Sequence, residues 1–183
     1  MATHKALVLH EYTKLPIYQD FPKPVPLPGE LLVKVDASTI NPSDRLRIGG
    51  SYFPVPLPAT MGLEGTGHVV EAHGEHIQNW VGKRVSFIQV FSGSWGEYAV
   101  TNPHLCFEID EDVSLTSAAS GIVNPLTVVG MTDIYSKTPH KKGIIHTAAA
   151  SALGRMLNKR CQTLGIPLLN IVRKQEQADL LIA

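Results

Sequence analysis

Small residues cluster where a nucleotide phosphate would need them. Ala149-Ala150-Ser151-Ala152-Leu153-Gly154 follows the apolar run Ile144-Ile145-His146-Thr147 and opens a segment with helical periodicity. A phosphate binds where free N–H groups point out of a helix N-terminus and no bulky side chain keeps it away. Nothing here is larger than Leu153, so a ligand could approach the backbone closely. The spacing Ala149-x-Ser151-x-x-Gly154 keeps only the last glycine of the G-x-G-x-x-G fingerprint, and a turn of small residues serves strand-to-helix packing equally well. A second apolar run, Leu168-Leu169-Asn170-Ile171-Val172, ends in Arg173-Lys174. In NAD sites an acidic side chain about twenty residues past the glycines grips the ribose hydroxyls. Here that place is held by cations. A guanidinium suits the 2′-phosphate of NADPH, although two solvated cations after a strand would look the same.

A hydride acceptor conjugated to a carbonyl also needs a proton at the neighbouring carbon. Tyr52, in the bend Gly49-Gly50-Ser51-Tyr52, could donate it or orient a water that does; a packed aromatic is the alternative. Asn41, Asp44, Asn124 and Thr127 are polar groups beside apolar stretches, each equally able to cap a turn or helix. No metal centre is expected. His68, His73 and His76 are close in sequence, but strand-and-turn spacing does not converge them, and no further ligand is evident. No G-x-S-x-G elbow occurs, and Cys106 and Cys161 form neither a CxxC pair nor a disulfide framework.

Two kinds of element must position these groups. Up to about residue 110 short strands alternate with Gly and Pro. Residues 5–9 read as a buried strand, and Pro16, Pro22, Pro24, Pro26 and Pro28 mark an ordered irregular run. Further strands are expected over 31–37, 61–71, 82–88 and 96–100, with Ser43 or Asp44 capping a short helical turn. The glycines at 62, 65 and 67 suggest tight bends or close backbone crossings. The pattern is that of a small all-β barrel. After Asp110 helix and strand alternate, beginning with a helix capped by Ser114, as in an α/β domain. We therefore expect a barrel domain over 1–115 and the first βαβ part of a dinucleotide-binding domain over 116–183. Two parallel strands do not make a complete doubly wound sheet, so further residues are expected to complete it.

Composition narrows the function classes. The 183 residues include 16 Lys plus Arg against 16 Asp plus Glu, with a formal net charge of zero. Nothing advertises nucleic acid or an anionic membrane. No signal peptide or membrane span is evident, so a soluble intracellular protein, cytoplasmic or mitochondrial, is expected.

Taken in order, several motifs resemble the medium-chain dehydrogenase/reductase superfamily, in its zinc-free branch of quinone oxidoreductases and mitochondrial-type 2-enoyl thioester reductases. They are Thr39-Ile40-Asn41-Pro42-Ser43-Asp44, Gly50-Ser51-Tyr52, Pro58-Ala59-Thr60-Met61-Gly62-Leu63-Glu64-Gly65, Gly82-Lys83-Arg84-Val85, Gly93-Ser94-Trp95-Gly96-Glu97-Tyr98, Val123-Asn124-Pro125-Leu126-Thr127 and the unit spanning 149–173. The resemblance implies a GroES-like barrel followed by a Rossmann fold, with NADPH as cofactor. It implies Tyr52 as proton donor and places Asn41 and Thr127 beside the nicotinamide and substrate. Leu63 stands where zinc-dependent members carry histidine, which implies no catalytic zinc. The implied substrates are small molecules (a quinone, an enone or an enoyl thioester), and the implied assembly of the full-length protein is a homodimer. The C-terminal half of the family is missing, which leaves a second expectation open: a truncated or degenerate relative with a structural or regulatory role and no turnover.

Overall fold

Alternating burial sets the first strand. In β1 (Thr3–Leu9) His4, Ala6 and Val8 point inward, as the two-residue period of a strand requires. The computed structural model describes residues 2–89 and 91–182. β1 pairs antiparallel with β2 (Ile17–Pro22) and, further along, with β4 (Ala59–Thr60). The proline run is thus only partly irregular. β2 lies at the edge of its sheet, where proline is tolerated because the ladder can spare its N–H.

A five-stranded antiparallel sheet holds β3 (Leu31–Ser38), β5 (Glu64–Ala72), β6 (Arg84–Ile88), β7 (Tyr98–Thr101) and β8 (Cys106–Glu108), in the order β7-β3-β5-β6-β8. The 95–97 segment ties it to β1, through Leu7 N to Trp95 O at 2.8 Å and Glu97 N to Lys5 O at 3.0 Å. Leu31, Val33, Val69, Val85, Phe87 and Ala99 fill the interior; burying a side chain of the Val, Leu or Phe kind stabilises by about 1.5–3 kcal/mol. The crossing of β3 and β5 is close at Gly67, where a Cβ would collide with the carbonyl of Lys34 and the side chain of Val33. One helix, α1 (Pro42–Ile48), leads out of β3.

The chain divides into two compact units, Met1–Ile122 and Val123–Ala183. The break falls later than residue 115 because the short helix α2 (Leu115–Ala118) is hooked onto the sheet of the first unit. Thr66 Oγ1 donates to Leu115 O and Ser86 Oγ to Ala118 O, each at 2.9 Å.

The second unit runs α3 (Val123–Lys137), β9 (Ile144–Thr147), α4 (Ala152–Leu164), β10 (Leu168–Ile171) and α5 (Gln175–Ile182). β9 and β10 are parallel, in register from Ile144 opposite Leu168 to Thr147 opposite Ile171. Val128, Leu157 and Cys161 form the core, with Leu153, Met156 and Ile144 packed against it. Gly165, at φ 64°, ends α4; the following Ile166 N returns to Cys161 O at 2.9 Å, which satisfies carbonyls left open at the helix end. The opposite face of the strand pair, with Ile145, Leu169 and Ile171, is exposed. No helix among the described residues is long and apolar enough to cross a membrane.

Candidate functional site

In the first unit α1 begins at a polar knot. Asn41 is its N-cap, so neither Ser43 nor Asp44 takes that place. Asp44 sits one turn in, and its carboxylate reaches back to accept from Asn41 N at 2.6 Å. The amide of Asn41 donates to Glu64 Oε1 at 3.0 Å and to Thr39 Oγ1 at 2.9 Å, and Thr39 Oγ1 donates to the same Glu64 oxygen at 3.1 Å. Arg47, fully buried on the same helix, stands near Asp44. Burial pushes the Asp44 carboxyl above its ordinary range, against the opposing pull of the Asn41 N–H and the Arg47 charge. Asn41 and Asp44 are therefore brought together, both buried, and both held by other protein groups.

Tyr52 lies beyond the end of α1, in a bend that starts with Gly50 N donating to Arg47 O at 2.9 Å and Ser51 N to Leu46 O at 3.0 Å. Its ring is 39% exposed and meets Phe53 edge-on, with centroids 4.6 Å apart. Among the described residues its hydroxyl has no hydrogen-bond partner, so it is available to a ligand.

In the second unit the small residues after β9 form the wall of a cavity of about 530 Å³. Ala149, Ala150 and Ser151 line it from one side, Arg173 and Gln177 from the other. Ser151 caps α4, its hydroxyl accepting from Gly154 N at 3.1 Å. Gly154 is packed so closely on the Ala149 backbone that a Cβ there would collide with it. Ala148, one residue before the fingerprint positions, is left-handed with φ 53°, a conformation that glycine adopts most easily. The Arg173 N–H donates to Gln177 Oε1 at 3.0 Å.

The remaining expected residues are placed differently. Leu153 turns into the α3–α4 core, Ala152 starts the helix without lining the cavity, and Lys174 is exposed outside the lining. Asn124 and Thr127 share a face of α3, three residues apart. Thr127 Oγ1 donates to Val123 O at 2.6 Å. The histidines are used locally: His68 Nδ1 is 2.8 Å from Asp36 Oδ2, and His73 Nδ1 donates to Pro26 O at 2.9 Å. Among the described residues no group of three or more His, Cys, Asp or Glu is arranged to hold a metal ion.

The pattern of the alcohol dehydrogenase GroES-like domain matches residues 27–142. The chain belongs to this family. It is thereby a member of the medium-chain dehydrogenase/reductase superfamily, with a GroES-like unit followed by the start of a dinucleotide-binding fold. A mitochondrial enoyl-acyl-carrier-protein reductase of Caenorhabditis elegans is 34% identical over 154 residues, covering 84% of this chain and 44% of the relative. The Xenopus tropicalis enzyme of the same name is 33% identical over 159 residues, 86% of this chain and 45% of its own length. A Mesorhizobium loti structure assigned as an NADPH:quinone reductase superposes with a TM-score of 0.89 at 32% identity, over 100% of this chain and 58% of that one. A mycobacterial structure in complex with NADPH gives a TM-score of 0.84 at 28% identity, over 99% of this chain and 55% of that one. The chain spans slightly under half the length of those two reductases and somewhat more than half of those two structures.

Three residues of this GroES-like family member escaped the reading of motifs alone. Glu64 and Arg47 are charged residues buried against Asn41 and Asp44, and the three-residue step from Asp44 to Arg47 was the available signal. Gln177 had none: nothing in an exposed polar run marks the one side chain that folds back onto the cavity.

Proposed function

We propose that the chain is the barrel and first nucleotide-binding part of an NADPH-dependent, zinc-independent reductase of activated C=C bonds or quinones. The observation that carries this is the second unit's cavity, where a Ser151-capped helix N-terminus, a backbone wall of small residues and the Arg173 cation face one space. In this reading Ala149 to Ser151 leave room for a pyrophosphate, and Arg173 suits a 2′-phosphate. The bound cofactor supplies a hydride to the electrophilic carbon of the substrate. Addition of the hydride moves the C=C electron pair onto the conjugated carbonyl as an enolate. The Tyr52 hydroxyl, or a water it orients, then delivers a proton to the α-carbon. The relatives' names favour a 2-enoyl thioester within this class, and the whole protein acts as a homodimer.

The test mixes the protein with NADPH and a panel of quinones and enoyl-CoA thioesters and follows oxidation of the cofactor. Failure of every acceptor sinks the reductase. With a thioester, Tyr52→Phe loses most of the turnover; a quinone, which needs no positioned donor, is much less sensitive. A second reading, of a chain without turnover in a structural or regulatory role, is favoured by the exposed apolar face of Ile145, Leu169 and Ile171. An NADPH-independent melting temperature together with no turnover would decide for it.

A further inference from the structure

We propose that Tyr12 is a positioning residue for Tyr52, an inference that rests on the reductase reading above. Tyr12 lies in the turn between β1 and β2, yet its hydroxyl satisfies both backbone polar groups of Val55. It donates to Val55 O at 2.6 Å and accepts from Val55 N at 2.9 Å. Its ring lies against Gly50, where a Cβ would stand 3.1 Å from Tyr12 Cγ. One side chain therefore grips the Tyr52 loop on both sides, two residues before Tyr52 and three after it. Thr13 N adds a bond to Ile48 O at 2.8 Å, at the end of the helix from which the loop departs.

This loop needs holding. It carries two left-handed residues, Gly50 at φ 75° and Phe53 at φ 41°, and a bulky residue adopts that conformation only where its surroundings enforce it. Phe53 is the edge-on neighbour of Tyr52, so its backbone path fixes where the Tyr52 ring can sit. Val55 is buried with Leu9 and Met61 in one apolar cluster, and the partly buried Tyr12 packs against it. The Tyr52 hydroxyl is tied down by none of these contacts; it is placed through the loop ends that Tyr12 grips. A proton donor works only when its reach and angle are preset, and a displacement of about 1 Å costs on the order of a hundredfold in rate.

Tyr12→Phe keeps the ring on Gly50 and removes only the hydroxyl. Hydrogen exchange of the 183-residue protein should show the Val55 amide and the 49–57 peptide exchanging about tenfold faster, with β3 and β5 unchanged. Unchanged exchange in 49–57 would overturn the proposal. With NADPH and an enoyl thioester, kcat should fall about tenfold while the KM for NADPH stays the same. In a Tyr52→Phe background the same substitution should cost nothing further, since its effect runs through Tyr52. Additive losses would show that Tyr12 supports only the fold, and would also overturn the proposal. If the unaltered protein turns over no acceptor, the reductase reading fails, and the exchange result still decides whether Tyr12 holds the loop.

Discussion

The α-carbon of Gly154 rests against the backbone of Ala149, with no room for a methyl group between them. This contact fixes how the first turn of α4 departs from the end of β9, beside the cavity lined by Ala149 to Ser151. Gly154→Ala should destabilise the protein by about 1–3 kcal/mol through overpacking. It should also weaken the thermal shift produced by NADPH, because the cradle moves with the helix. Differential scanning calorimetry with and without cofactor reads both effects. A neutral Gly154→Ala would mean that the turn relaxes freely.

In the proposed function Arg173 sets the cofactor preference. Its backbone N–H holds Gln177, and that bond survives truncation of the side chain, so Arg173→Ala removes the guanidinium alone. NADPH binding should weaken by about tenfold or more, the scale of a lost charge-assisted hydrogen bond. NADH binding should be unchanged. Titration calorimetry with the two cofactors distinguishes this from a general loss of binding.

Asp44 makes stability depend on pH in the direction opposite to a solvent-paired carboxylate. Burial raises its pKa above the ordinary 3.8, so between the two values the folded chain holds a proton that the unfolded chain has released. The resulting stabilisation is complete below the unfolded pKa and is lost as pH rises through the raised folded one. Asp44→Asn retains an oxygen for the Asn41 N–H and cannot ionise. Urea unfolding should show the variant gaining on the parent protein as pH rises from about 4 towards neutrality. A gap that widens towards acid would refute the assignment.

Cys106 should be chemically silent. Its thiol is buried and pushed up to about 11, so only about one molecule in a thousand is thiolate near pH 8. Iodoacetamide should leave it unmodified in the folded protein and label it fully in denaturant, as peptide mass spectrometry would show.

How much of this was legible in the residues depends on the range of the forces involved. Ser151 and Gly154 could be read because a cap and a close crossing are local, set by a few neighbouring residues. The same holds for Ser114 and for the strand patterns around Val33 and Val85. Residues 17–22 form a strand against the local signal: neighbouring prolines argue against a ladder, and only the distant β1 supplies the edge at which Pro22 is accommodated. The knot of Asn41, Asp44, Arg47 and Glu64 joins a helix to a strand some twenty residues away. Charged residues read singly look like solvated ones, so its burial was hidden. The late unit boundary had the same origin, since α2 is held by side chains of β5 and β6.

Pro22 at the end of β2 and Pro16 just before the strand also have a consequence outside the molecule. Lys23 N turns inward to Ala2 O at 3.0 Å, so by strand alternation the nitrogen of Pro22 faces outward, and Pro16 has the same parity at the other end. The donors that proline lacks are thus absent from the side that solvent and neighbouring chains meet. A foreign strand approaching this rim would find a broken row of hydrogen bonds, so the β2 edge is a poor template for aggregation.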